Sequence, residues 1–236
     1  MAEPGSGPEL EPEPSMSDDD ITPRIRPYGR YVGLLAVLIV VLVSINAALT
    51  KPTGSVGIEP GHRLPPFAVP LARGDVNGAA DVATRANDGA AGKVPACAER
   101  GRGILNICEL YEQGPVVLAL FVDLGSCPRI LSDMQALAPS FPNVRFAGVE
   151  IKGGRGELLQ LMATKNLSIP IGFDSEGTLA GLYKQVSCPQ VSFAYPGGVV
   201  QGKTLLERPS PATLRARVSE LVRAARARGW RPPPGR

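Results

Sequence analysis

The sequence predicts an α/β domain with a central mixed β-sheet flanked by helices, preceded by one transmembrane helix. Three observations carry this. A run without charged side chains, YVGLLAVLIVVLVSINAAL, occupies residues 31–49. Another apolar run, VVLALFV at 116–122, is short and continuous, as in a parallel strand buried on both faces. Around it, segments of strand and helix character alternate to near the end of the chain, the pattern of a layered α/β domain.

Residues 1–30 read as a disordered acidic, proline-rich tail. Glu3, Glu9, Glu11, Glu13 and Asp18 to Asp20 meet no basic residue within the first twenty positions. Such a segment has too little apolar surface to offset its ordering entropy. The 31–49 run is long enough, at about 1.5 Å per residue, to cross a hydrocarbon core of roughly 30 Å. Arg24, Arg26 and Arg30 precede it and only Lys51 closely follows. The positive-inside rule then places the N-terminus in the cytoplasm and the remainder outside, a single-pass arrangement in the cell membrane. The run exceeds the roughly 7 to 15 apolar residues of a signal peptide and follows a long tail, so an uncleaved anchor is expected. Residues 50–65, rich in Pro and Gly, read as a linker. The single histidine, His62, lies there. One imidazole with no cysteine pair nearby predicts a solvated side chain and no metal site.

The domain is expected over 66–230, with a basic, proline-rich tail at 231–236. FAVPL reads as a short strand and the small, polar stretch that follows as a loop. GILNI leans to strand, and ELYEQ is a helical turn ended by Gly114-Pro115. After VVLALFV and the junction GSCP comes RILSDMQALAPSF, whose Ile130, Met134, Leu137 and Phe141 recur every three or four residues as on a helix with one buried face. VRFAGVEI is a strand, GGRGELLQLMATKN a helix, IPIGFD a strand and TLAGLYKQ a helix. CPQVSFAYPGGVVQGKTLL reads as two strands joined at Pro196-Gly197-Gly198, a hairpin signal. The last helix starts near Pro211, suited to a first turn, and presents Leu214, Val218, Leu221 and Val222 on its apolar face.

The net charge of +3 argues against a nucleic-acid partner. The arginines after Arg208 read as a solvated helix face and a frayed end. All four cysteines, Cys97, Cys108, Cys127 and Cys188, follow the anchor, on the side where disulfides persist. Their even number suggests two bridges, with three possible pairings.

Three landmarks give the chain a family resemblance over roughly 66–230. GPVVLALFVDLGSCP resembles the opening core strand and active-site loop of the thioredoxin fold. IPIGFDSEGTLAGLYKQV resembles the segment before its proline loop. VSCPQVSFAYPGGVV resembles its V-x-x-P-x-x-x-F strand pair with a glycine turn. The chain most resembles membrane-tethered extracytoplasmic thioredoxins of bacteria and the related alkyl hydroperoxide reductase/thiol-specific antioxidant family. The resemblance implies a thioredoxin-like fold in which Pro189 is a cis-proline facing the active-site cysteine.

The departures from the family are as informative. The four positions of the usual C-x-x-C site read Cys127-Pro128-Arg129-Ile130, so a dithiol confined to that loop is excluded. The peroxiredoxin pattern P-x-x-x-T-x-x-C fails at Leu120 and Leu124. The copper-chaperone variant fails for want of C-x-x-x-C and a histidine in the domain. Cys127 is still expected at a helix start, where unpaired N–H groups and the helix dipole favour a thiolate, with Arg129 as an electrostatic helper. In the resembled fold the residue before the cis-proline sits against the active-site cysteine. The resemblance therefore implies that Cys188 replaces the partner missing at Ile130, resolving exchange begun by Cys127. Cys97 and Cys108 are then the other pair, a structural clamp before the core strand. GGRGE at 153–157 lacks the lysine and threonine of a phosphate loop and reads as a turn. Glu150, Asp123 and Asp174 lie near strand ends, where a buried acid could accept a proton.

The expected function is a membrane-tethered, extracytoplasmic thiol–disulfide oxidoreductase-like protein acting on protein thiols and disulfides, with no cofactor and no metal. A non-catalytic binding or assembly module and a one-cysteine peroxidase-like antioxidant protein are the alternatives. The sequence leaves the oligomeric state open.

Overall fold

A computed structural model of the chain describes residues 27–49, 56–88 and 92–233. The acidic tail to residue 26, the first part of the expected linker (50–55) and the end of the basic tail (234–236) lie outside the described residues. The chain forms two compact units, 1–53 and 54–236.

The first unit contains helix α1, Pro27–Leu49. Its described side chains, residues 31–44, are all exposed. That portion spans about 21 Å at 1.5 Å per residue, and among the described residues no helix is long and apolar enough to cross a membrane.

The other unit is built on a four-stranded sheet in the order β5-β4-β3-β6. Its strands are β3 (Val116–Phe121), β4 (Arg145–Ile151), β5 (Ile171–Asp174) and β6 (Gln190–Ala194). β3 pairs parallel with β4 and antiparallel with β6, and β4 pairs parallel with β5. The sheet is therefore mixed, and β3 lies inside it with all six residues buried. A smaller antiparallel pair, β1 (Ala68–Pro70) with β2 (Ile104–Asn106), precedes it.

The strands bury side chains on both faces, which is why VVLALF carries no alternation. One core holds Val117, Ala119 and Phe121 with Ile130, Leu131, Met134 and Leu137 of α3 (Arg129–Leu137). Leu158 and Met162 of α4 (Arg155–Thr164) and Leu214, Val218 and Leu221 of α6 (Pro211–Ala227) complete it. The other core holds Val116, Leu118 and Leu120 with Ile107, Cys108 and Tyr111 of α2 (Ile107–Gln113). Leu179 of α5 (Thr178–Leu182) and Tyr183 close it. The last helix begins with Pro211, and the Ser210 hydroxyl caps it by accepting the Thr213 N–H at 3.1 Å.

Three readings are corrected. The described half of the expected linker, 56–65, is packed on the domain. Leu64 is buried, its N–H donates to the Gly198 carbonyl at 2.8 Å, and Arg63 bridges to Val199. Its Pro/Gly composition masked the two apolar anchors Ile58 and Leu64. The hairpin after Pro189 has one regular strand, β6; the returning arm touches it through isolated bridges, Ala194 to Val200 and Val191 to Leu205. Gly202, at φ +65°, turns the backbone between those bridges and interrupts the ladder. GGRGE is no free turn, because Arg155 donates to the carbonyls of Leu71, Ala72, Gly74 and Val76 and lies 5.3 Å from the Phe173 ring centre.

Candidate active site

The end of β3 and the loop before β6 converge. β3 ends at Phe121, and the loop 122–128 leads into α3. On the far side, Gln190 is buried and its Nε2 donates to the Tyr183 carbonyl at 2.9 Å, which holds the approach to β6. The Cys188–Pro189 peptide bond is cis, and Pro189 is buried. These two loops bring Cys127 and Cys188, 61 residues apart in sequence, into a disulfide with Cα atoms 5.5 Å apart. That separation lies within the range a disulfide uses.

The two sulfurs have different surroundings. Cys127 is 5% exposed and packs in the core with Ile130 and Leu131. Cys188 is half-buried, and its Sγ accepts the Val122 N–H at 3.1 Å. A donor aimed at sulfur favours its thiolate. The expected donors at the helix start are otherwise engaged. Arg129 N–H donates to the Ser126 carbonyl at 3.1 Å, Ile130 N–H to Cys127 at 3.5 Å and Leu131 N–H to Pro128 at 3.1 Å. Pro128 has no N–H to offer. The turn 124–128 continues the helix backwards and satisfies the groups that were expected to be free.

Arg129 is exposed and its guanidinium makes no hydrogen bond or ion pair among the described residues. Ile130 points into the core, fully buried, so the position of the missing cysteine serves packing.

Of the three acids singled out in the sequence, one is buried with an unpartnered carboxyl oxygen. Asp174 is buried but satisfied, accepting the N–H groups of Gly177 and Leu179 at 2.9 and 2.7 Å. Asp123 is exposed on the loop 122–128. Glu150 is 2% exposed and sits in register between Phe121 of β3 and Phe173 of β5. Its Oε2 has no hydrogen-bond partner. Burial, reinforced by the negative charges of Asp123 and Glu157, pushes its pKa up to about 7. Gly153 lies close beside it, and a Cβ there would meet the Glu150 carboxyl and oblige it to shift.

The other bridge, Cys97–Cys108, lies apart from these groups, with Cα atoms 5.4 Å apart. Cys108 is in the first turn of α2 and Cys97 in the short 3-10 turn 96–98. Asn106 knits the same loop, donating to Ala96 and Glu99 carbonyls at 2.6 and 2.8 Å and accepting the Cys108 N–H at 2.8 Å. Among the described residues no group of acids, histidines or cysteines is arranged to hold a metal.

Sequence reasoning missed the Val122 amide. A backbone donor has no residue-type signal, and only the placement of β3 against the proline loop reveals it.

No protein-family model matches this sequence, and no curated protein matches it. Solved structures do. The thioredoxin domain of a thiol-disulfide oxidoreductase from Bacteroides vulgatus aligns with a TM-score of 0.51 at 11% identity, covering 70% of this chain and 99% of that one. A Chlorobium tepidum protein assigned as the thiol:disulfide interchange protein DsbE gives 0.52 at 14% identity, covering 72% and 99%. The peroxidoxin BcpB of Mycobacterium tuberculosis gives 0.50 at 13% identity, covering 73% and 98%. At these identities the likeness is one of fold, and the fold of this chain is thioredoxin-like.

Proposed function

We propose that the protein is a membrane-tethered, extracytoplasmic thiol–disulfide exchange protein acting on protein thiols and disulfides. The carrying observation is the Cys127–Cys188 bridge at the end of the central strand, with a backbone donor on one sulfur. In the oxidised form, a partner thiolate attacks Sγ of Cys127. A mixed disulfide forms, the bridge breaks, and Cys188 leaves with the electron pair as a thiolate held by the Val122 N–H. In the reverse sense, the Cys127 thiolate attacks a partner disulfide and Cys188 resolves the product. Glu150, at a pKa of about 7 and in register with Phe121 at the end of the strand that carries the Cys127 loop, is suited to hold or release a proton. The sequence supports the tether: the uncharged 31–49 run, with three arginines before it and Lys51 after it. The names of the fold relatives, two of them thiol–disulfide exchange proteins, point the same way.

One observation favours another reading. Cys127 is nearly enclosed, as in a bridge kept for structure in a binding or assembly module. A single titration separates the two. The purified protein is equilibrated in glutathione buffers of graded potential and its bridges are mapped by mass spectrometry. Opening of Cys127–Cys188 between about −120 and −270 mV supports exchange. Resistance below roughly −300 mV leaves the structural reading.

A further inference from the structure

Among the described residues of the 54–236 unit, the two most exposed large apolar side chains are Leu124 and Val186, at 75% and 68%. Single exposed apolar residues are ordinary on a protein surface. These two share a location. Leu124 lies three residues before Cys127, whose N–H its carbonyl accepts at 3.1 Å, and Val186 lies two residues before Cys188. One stands on each of the two loops that the disulfide joins.

The redox loop also borders an open groove of about 600 Å³. Asp123, Gly125 and Pro128 form one wall, and Glu157, Leu161 and Lys165 form the other. Asp123 and Glu157 make no ion pair among the described residues. The unpartnered, buried carboxyl of Glu150 lies within the electrostatic reach of both. Against these carboxylates the groove has one cation, Lys165, so its lining keeps an excess of negative charge that attracts a further cation, and the attraction is screened by salt.

We propose that this surface selects the polypeptide partner. It fits an extended segment whose reacting cysteine is flanked by an apolar residue and by a lysine or arginine. The apolar side chain lies on Leu124 and Val186, and the cation enters the groove at Asp123 and Glu157. The inference rests on the exchange reading above. The step it directs is the one already balanced: the partner's thiolate bonds to Cys127 and Cys188 departs as a thiolate.

The test follows reduction of the Cys127–Cys188 bridge in the full-length oxidised protein by two cysteine peptides of equal length. One has leucine and arginine beside the cysteine, the other leucine and glutamate. Each rate is divided by that peptide's rate with hydroxyethyl disulfide, a neutral reference that removes differences in thiol reactivity. The basic peptide is expected to react about ten-fold faster at low salt. That advantage shrinks in 0.5 M salt, roughly the range where screening shortens to a few ångströms. It also shrinks in the Asp123→Asn/Glu157→Gln variant, and replacing the leucine by serine slows both peptides. Equal normalised rates for the two peptides, with dithiothreitol opening the bridge readily, overturn the selectivity and leave exchange standing. A bridge that dithiothreitol also leaves closed in the folded protein overturns the exchange reading, and the selectivity with it.

Discussion

The amide of Val122 lies 3.1 Å from Sγ of Cys188, while the amides that open α3 beside Cys127 are bonded to carbonyls of their own turn. Under the exchange reading proposed above, the asymmetry gives the two sulfurs different roles. A thiolate that accepts an N–H is the better leaving group, because its charge is held as it forms.

Two single-cysteine forms of the Cys127–Cys188 pair test this. In Cys127→Ser, the Cys188 thiol is expected to titrate below the ordinary value of about 8.5. In Cys188→Ser, the Cys127 thiol is expected to titrate higher than Cys188 does. The pH dependence of iodoacetamide alkylation reads both. The reverse ranking would make Cys127 the leaving sulfur and remove the part given to Val122. The same Cys188→Ser protein should accumulate mixed disulfides on Cys127, since nothing is left to resolve them.

Glu150 makes stability depend on pH. Its pKa in the folded chain is pushed up to about 7 from an ordinary 4.5, by burial first and then by Asp123 and Glu157. Between those values the folded form binds more protons than the unfolded form, so stability falls as pH rises across the window. Glu150→Gln removes the titrating group. The variant should have a shallower profile from about pH 5 to 8, keeping the slope that Glu99 contributes, and should exceed the parent above pH 7 by on the order of 2 kcal/mol, after allowance for screening near the groove. Urea midpoints at the two ends of the window decide it, and a parent profile that is already flat would contradict the assignment.

Much of this architecture was legible in the sequence. The unbroken apolar run 116–121 marked a strand buried on both faces, and the spacing of Ile130, Met134 and Leu137 marked a helix facing the sheet. Less legible were features set by tertiary contact. Residues 56–65 look like a linker because Pro and Gly dominate them, yet Leu64 is buried by the turn at Gly198, more than a hundred residues away. Glu150 and Asp174 are both acids at strand ends and indistinguishable by type. One is satisfied by the amides of the following turn and the other is not, and only the fold decides which. The helix-start argument for Cys127 assumed open amides, which the preceding turn fills.

Arg129 is the weakest member of the expected site. It is exposed and unpaired among the described residues, so water and salt screen its charge. Arg129→Ala should change the rate at which dithiothreitol opens the bridge by less than about three-fold, with the difference fading in high salt. A ten-fold loss that persists in salt would restore it to a direct role.

The tether is open to a direct assay. If residues 31–49 span the bilayer, the full chain should stay with membranes through alkaline carbonate and high salt and leave with detergent. Protease added outside spheroplasts should digest the 54–236 unit and spare the acidic tail. Release by salt alone would mean surface attachment, and protection of the 54–236 unit would reverse the topology.

The Cys97–Cys108 bridge should matter for stability and not for exchange. It closes a loop of 11 residues in sequence separation, for which chain entropy allows about 3 kcal/mol at most. The same loop is held independently by Asn106, which joins Ala96, Glu99 and Cys108 while 2% exposed. With that side chain intact, the open loop keeps much of its native geometry, and Cys97→Ser/Cys108→Ser should lose about 1 to 3 kcal/mol with the fold preserved. Asn106→Ala should lose about 1 to 2 kcal/mol, because it strands buried carbonyls and the Cys108 amide. Since both devices restrain one segment, removing both should cost more than the sum of the single changes. Denaturant midpoints of the three proteins measure the coupling. The dithiothreitol rate at Cys127–Cys188 in the double-serine protein, expected within about two-fold of the parent, shows that the clamp stands outside the chemistry.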